Sequence, residues 1–230
     1  MIELVETPYE LYPYQHLINT QPIEYFDIHP IDTRCLTYSS LINTQYFRQE
    51  AINFLKYGFY TDAPEGTKEY NEYWDTQEER CMEGYKVGDL WITGRHYFYL
   101  NFFPMWQADK TTKTRVFGFP QFWEIDYAWW TAKHIARRLE KNLAVLKTRR
   151  AGFSFKEAAD CVYNYNFIAG SKSYIYAQSE VYLIGDRIMD KVKEGLDHLN
   201  QHTDWFKNRH KGNKGLHYKA SYVENNIEKG

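Results

Sequence analysis

Nowhere in these 230 residues does an apolar run approach the roughly 20 that a membrane-spanning helix needs. The opening stretch MIELVETPYE is acidic where a secretory signal would be apolar. Cysteine is scarce: Cys35, Cys81 and Cys161 are odd in number and far apart, which makes neither a disulfide framework nor a zinc pair and suits a reducing compartment. Charge is nearly balanced, 28 Lys and Arg against 30 Asp and Glu, a formal −2. There is thus no global pull towards nucleic acid or membrane, and any contact with DNA must come from a local patch or from partners. Internal repeats and low-complexity tracts are also missing.

What is present is an apolar and aromatic chain. It is 43% hydrophobic and 25% charged, the balance of a globular protein, and its length allows one large domain or two small ones. Aromatics reach 18%, with 21 tyrosines. Such residues mostly fill cores, and a base-stacking surface is their alternative use.

The first 45 residues read as irregular, punctuated by Pro8, Pro13, Pro22 and Pro30. The stretch 46–58 predicts a short helix, 63–67 (APEGT) a turn, and 68–83 a polar helix anchored by Tyr70 and Trp74. The aromatic run 89–105 reads as a β-hairpin turning around Thr93 and Gly94. Residues 121–139 predict a helix with Phe122, Ile125, Trp129, Ala132, Ala136 and Leu139 on one face. From 141 the pattern changes. LAVLKTR (143–149) is a short apolar strand, a helix follows over 154–168, SKSYIYAQ (171–178) is a second strand, and 180–199 is a second helix. The stripe of that last helix is Val181, Ile184, Ile188, Val192, Leu196 and Leu199. Strand, helix, strand, helix predicts a βαβα unit, and hence an α/β fold with a parallel sheet. A leading subdomain over 1–140 then precedes the start of an α/β core over 141–230.

Between the first strand and its helix lies KTRRAGFS, residues 147–154. A phosphate-binding loop, G-x-x-x-x-G-K-[ST], occupies that place in a strand–loop–helix unit. Aligned on Gly152 and Ser154, the loop has Lys147 where the first glycine belongs and Phe153 where the lysine belongs. Backbone amides and a helix N-terminus cradle phosphate whatever the side chains are. Gly152 permits close backbone approach, and the Ser154 hydroxyl has the position of a Mg²⁺ ligand. Lys147, Arg149 and Arg150 are all placed to supply the missing cation, and the residues alone do not choose among them. Phe153 is expected to pack inward. The competing explanation is a basic turn in which Ser154 is the N-cap and Glu157 closes an S-x-x-E capping box.

KTRRAGFS resembles the deviant Walker A motif of tailed-phage large terminase subunits, in the form whose lysine has moved to the start of the loop. The upstream segments LWITGRHYFYLNFFPM and FPQFWEIDYAWWTAKH, in that order, extend the resemblance over roughly residues 80–185. The resemblance implies a P-loop ATPase that binds ATP and Mg²⁺ and drives double-stranded DNA through a portal into a capsid. The partners it implies are a small terminase subunit and further copies in a ring, in the host cytoplasm and not in a membrane. By it, Lys147 takes the displaced phosphate lysine role, Arg150 the loop arginine, and Gly152 and Ser154 the glycine and hydroxyl, with Thr148, Arg149, Ala151 and Phe153 between them. Gln121 is placed as an adenine-reading glutamine, 26 residues upstream of Lys147. The sequence departs from the family in two respects. No run of four apolar residues followed by Asp-Glu occurs after residue 160, nor any acidic cluster for a nuclease. The chain therefore reads as the N-terminal part of such a motor, with its catalytic acids elsewhere. Two other readings stand beside it, a helicase-like P-loop fragment and a non-enzymatic aromatic-rich α/β interaction module whose basic turn is merely capped.

Remaining candidates read as structural. His198 and His202 are four residues apart, a metal-binding spacing, but sit where a helix C-terminus favours histidine anyway. KNRHKGNKGLHYK (207–219) is a basic, glycine-bearing loop, either solvated or laid against a DNA backbone. Glu78, Glu79 and Glu83 fit a polar helix face, and Asp160 lies below the loop on its helix. Because phosphoryl transfer needs a positioned metal and water, this chain by itself is expected to release phosphate from ATP at no more than background rate. Steady-state phosphate release by the purified protein checks this, and a clear turnover counts against the missing-acid reading.

Overall fold

The structure is a computed structural model and describes residues 44–88, 90–108, 114–145, 152–176, 179–184, 187–211, 218–224 and 227–229. The irregular leader expected over 1–45 falls almost wholly outside these residues, as does Cys35. Helices and short strands mix along the chain. A 3₁₀ turn, Thr44–Arg48, runs into α1 (Gln49–Tyr57), and α2 (Lys68–Glu83) follows. Next come β1 (Tyr85–Val87), β2 (Leu90–Ile92), α3 (Gly94–Phe102), β3 (Met105–Ala108) and β4 (Arg115–Gly118). The remainder is α4 (Glu124–Arg138), α5 (Phe153–Phe167), a 3₁₀ turn Glu180–Tyr182, α6 (Ile188–His202), β5 (Asn208–Lys211), β6 (Tyr218–Glu224) and β7 (Ile227–Lys229). Strands pair as β1–β2, β3–β4 and β5–β6–β7, every pair antiparallel. No helix among the described residues is long and apolar enough to cross a membrane.

Two compact units are built from interleaved stretches of chain. One holds Met1–Gln49, Gln77–Leu100 and Gln121–Ala151; the other holds Glu50–Thr76, Asn101–Pro120 and Gly152–Gly230.

In the first unit, Phe47 is fully buried and stacks on Phe122 at 5.5 Å, with the edge of Tyr85 at 5.9 Å. The Tyr97 hydroxyl donates to Gln77 Oε1 at 2.6 Å and accepts from Arg80 at 3.2 Å, so a buried phenol is satisfied on both sides. Arg80 in turn lies 4.5 Å from the Tyr85 ring centroid. Gly84 has φ +97, and a Cβ there would strike the Trp91 ring and the Ile92 carbonyl, which holds β2 against the end of α2. Against the expected face of α4, Ile125 is 37% exposed, while Tyr127, Ala128, Trp130, Thr131 and Ile135 are buried. The helix starts at Glu124, beyond Pro120, and the large Trp130 ring takes the inner position beside Tyr99 at 5.6 Å.

The run 89–105 is not a hairpin. Leu90–Ile92 is a strand paired with β1, Gly94–Phe102 is helix, and Met105 opens β3, which pairs with β4. Thr93 caps it: its Oγ1 accepts from the His96 amide at 3.2 Å and its carbonyl from the Tyr97 amide at 2.9 Å. Residues 96–102 are all buried. A segment enclosed on every side is best served by a helix, which satisfies its own backbone. The β-favouring tyrosines and phenylalanines record burial here, since β-propensity is largely a packing preference.

The second unit centres on Tyr60. Its hydroxyl donates to the Asn101 carbonyl at 3.0 Å and meets His198 Nε2 at 2.7 Å. With the Tyr60 O–H on the Asn101 carbonyl, the His198 contact calls for an Nε2–H that donates to the Tyr60 oxygen. Phe54 (4.6 Å from Tyr60), Phe117 and Phe119 surround the pair, with His202 at the outer edge, 4.9 Å from His198. Asn101 Oδ1 accepts the Ala51 amide at 3.3 Å and so satisfies a first-turn donor of α1. Helices α5 and α6 bury Ala158, Ala159, Val162, Met189, Val192, Leu196 and Leu199. Gly195 lets them close, because a Cβ there would lie 2.6 Å from the Phe103 ring and 3.1 Å from Val162.

The expected parallel strands are not formed by the described parts of their segments. Residues 143–145 and 171–176 belong to no strand; 146–149 and 177–178 lie outside the described residues. A parallel strand is covered on both faces, whereas Val145 is 42%, Tyr174 70% and Tyr176 89% exposed. The helix expected over 180–199 is shorter, its first turn being 3₁₀ with Val181 exposed, and α6 begins at Ile188.

Burial, with a smaller push from His202, lowers the His198 pKa from 6.5 to about 3. The unfolded chain therefore binds the extra proton first, and the stabilising contribution is complete above pH 6.5 and lost as pH falls towards 3. Between pH 7 and pH 5 this group alone should remove about 2 kcal/mol. Melting curves across that range should show the loss, and His198→Phe should flatten it; an unchanged slope in the variant contradicts the assignment.

Candidate phosphate-binding turn

Helix α5 begins at Phe153, one residue before the sequence pattern places it, and its N-cap is Gly152 in the left-handed region at φ 71, ψ 6. Glycine adopts this conformation without the Cβ penalty, and a Cβ at Gly152 would meet nothing within 4 Å. The residue is needed for its backbone and not for space. Its carbonyl accepts from the Phe155 and Lys156 amides at 3.0 and 3.3 Å. No side chain caps the helix.

The capping box is therefore corrected. Ser154 is the second helical residue, not the N-cap, so its hydroxyl and Glu157 are out of register for that motif. Ser154 is exposed, and its hydroxyl bonds to no described residue. The result is a helix N-terminus with first-turn amides, a positive dipole end and an exposed hydroxyl. Such an end can receive a phosphate and, through Ser154, a cation that the phosphate brings.

Phe153 is half-buried, inward as expected, and covered by a cation. Lys156 Nζ lies 4.6 Å from its ring centroid, and Lys156 is only 1% exposed. Side chains on a helix lean towards its N-terminus, which carries a residue three positions on back over Phe153. On the other side of Ser154, Phe155 faces α6, where Lys191 Nζ stands 4.8 Å from its ring centroid. Sequence pattern passes over both lysines. The i, i+3 spacing of Phe153 and Lys156 is the one available signal, and the Lys191 contact depends on tertiary packing.

Lys147, Thr148, Arg149, Arg150 and Ala151 lie outside the described residues. Gln121 accepts from Arg48 at 2.7 Å through its amide oxygen. His198 is held by Tyr60. No group of three or more metal-ligating side chains occurs among the described residues. The basic stretch 207–219 is in part regular structure: Asn208–Lys211 pairs antiparallel with Tyr218–Glu224, and 212–217 is not described. Glu78, Glu79 and Glu83 are exposed on α2, as a polar face requires, and Asp160 is buried on α5. Cys81 and Cys161 are free thiols, and burial pushes the Cys81 thiol well up.

No protein-family model, curated protein or solved structure matches this chain.

Removing the Ser154 hydroxyl should be nearly neutral for stability, within about 0.5 kcal/mol, as for an exposed side chain without partners. An N-cap serine would lose about 1 kcal/mol. Melting of Ser154→Ala beside the parent separates the two, and a loss of the larger size would restore the capped-turn account.

Proposed function

We propose that this chain is the ATP-binding part of a terminase-like DNA-packaging motor, with ATP and Mg²⁺ held at Lys147–Ser154. One observation carries the reading: the start of α5, where a left-handed Gly152 precedes an exposed Ser154 hydroxyl that bonds to no described residue. The motif requires a glycine and a hydroxyl in this order. On this reading first-turn amides receive the phosphate oxygens and Ser154 ligates the Mg²⁺. Lys147, Arg149 or Arg150 supplies the cation for the outer phosphates, with Thr148 and Ala151 carried in the loop. Gln121 would have to leave Arg48 to read an adenine.

Phosphate release, with the acids for metal and water supplied outside this chain, would move double-stranded DNA. A ring of copies, a portal and a small terminase subunit are the assembly this implies, in the host cytoplasm and at the procapsid portal.

The exposed Tyr174, Tyr176 and Tyr182 favour a second reading, an interaction module. Calorimetric titration with MgATP separates them, since a module with no phosphate site gives no saturable heat. If Lys147 is the phosphate cation, Lys147→Ala should weaken MgATP about 10- to 100-fold, the loss of one charge-assisted hydrogen bond. Its melting curve should be nearly unchanged. Undiminished affinity moves the role to Arg149 or Arg150, and undiminished affinity with all three removed rejects the site.

A further inference from the structure

The end of α4 gathers positive charge. Within residues 133–141, Lys133, Arg137, Arg138 and Lys141 stand against one carboxylate, Glu140. Arg137, Arg138 and Lys141 are exposed, and Lys133 and His134 are half-buried. The backbone folds back to keep Lys141 at this end. Glu140 takes the left-handed region at φ 52, alone among the described residues that are not glycine. Its amide donates to the Arg137 carbonyl at 3.1 Å and the Lys141 amide to the Ala136 carbonyl at 2.8 Å, the pairing that closes a helix end. A helix dipole favours cations at a C-terminus and so accounts for part of this charge. It does not account for Arg95, the second residue of α3, where the dipole disfavours a cation. Trp91 of β2, four residues before Arg95, meets the His134 ring edge-on at 5.5 Å. Burial, and then Arg138, Arg137 and Arg95, hold the His134 pKa down to about 4, and no carboxylate is among the charges that act on it.

We infer that Arg95, Arg137, Arg138 and Lys141 form a contact site for the phosphate backbone of double-stranded DNA. Such a site is the local patch that a chain of formal charge −2 needs in order to hold a polyanion. Single-strand sites join a basic track to open aromatic rings on which bases stack. Here the rings are covered: Lys133 Nζ lies 5.0 Å from the Trp129 ring centroid, Trp129 is 9% exposed, and Trp91 is half-buried against His134. Charge without open rings suits the outside of a duplex, where phosphate contacts supply affinity and carry no base sequence. The inference rests on the motor reading only in taking DNA as the polymer, and uses no residue of the Lys147–Ser154 turn.

The test titrates a short fluorescent DNA duplex against the whole chain at several salt concentrations, with a melting curve for each variant. Arg95→Ala, Arg137→Ala, Arg138→Ala and Lys141→Ala should each lower the slope of log affinity against log salt by about 0.9, the share of one phosphate contact. Arg137→Lys, which keeps the charge, should leave the slope as it is in the parent. If Arg95→Ala fails to fold, the three exposed positions carry the test. Bound duplex should also raise the His134 pKa, because phosphates beside the arginines offset the charge that lowers it. The imidazole resonances of His134, followed through pH with and without duplex, read this directly. A duplex held instead by the basic stretch 207–219 would leave that titration unmoved. Slopes unchanged in all four alanine variants, an unmoved His134 titration, a single strand held more tightly than the duplex, or a parent that binds no duplex each overturns the inference. Titration with MgATP on the same protein judges the nucleotide site separately. Duplex binding of the expected kind without saturable MgATP heat supports the inference and rejects that site.

Discussion

One close approach governs the unit that holds α5 and α6. At Gly195, α6 comes so near Phe103 and Val162 that a side chain there would overlap the Phe103 ring and crowd Val162. A glycine inside a helix costs about 1 kcal/mol relative to alanine. The close packing of Val162, Leu196 and Leu199, each almost wholly buried, offsets that cost. The position of α5 follows from this contact. Lys191, one turn before Gly195, can reach Phe155 because the helices are already this close. The start of α5 thus depends on packing well down that helix.

The elements legible in the sequence are those whose local signals agree. Helix α2 occupies the predicted residues because Thr67 caps it: its Oγ1 accepts from the Tyr70 amide at 3.3 Å, and Gly66 supplies the left-handed turn before it. Helix α5 differs from expectation by one residue at each end. Misreadings cluster where burial on all sides removes periodicity. Helix α3 presents Tyr, Phe and Leu on every face, so neither a period of two nor of 3.6 shows in it. In α4 Trp129, which counting from Phe122 places inside, is buried, but Trp130 beside it is buried more deeply and Ile125 on the expected face is exposed. Strand β5 is written in polar and basic residues, whereas β6 alternates Tyr218, Ala220 and Tyr222 with Lys219 and Ser221, a period of two that the reading of 207–219 as a basic loop passed over.

At the candidate site, residue order was more informative than side-chain reasoning. The S-x-x-E spacing invites a capping box, but a left-handed glycine immediately upstream starts the helix one residue earlier and takes Ser154 out of capping register. Backbone conformation decides this, and side-chain pattern does not report it. Phe153 stands where a standard phosphate loop has its lysine, and this is visible in the sequence itself. The cation that covers Phe153, Lys156, is recognisable only when helix direction is considered with spacing.

The central claim is that the terminal phosphates of ATP lie against KTRRAGFS. An acyl-phosphate derivative of ATP transfers its acyl group to whichever lysine amine stands beside those phosphates, and peptide mass mapping then identifies it. Acylation at Lys147, suppressed by excess MgATP, is the result this account predicts. Acylation confined to surface lysines such as Lys68 or Lys207 and indifferent to MgATP, or no acylation at all, would contradict it.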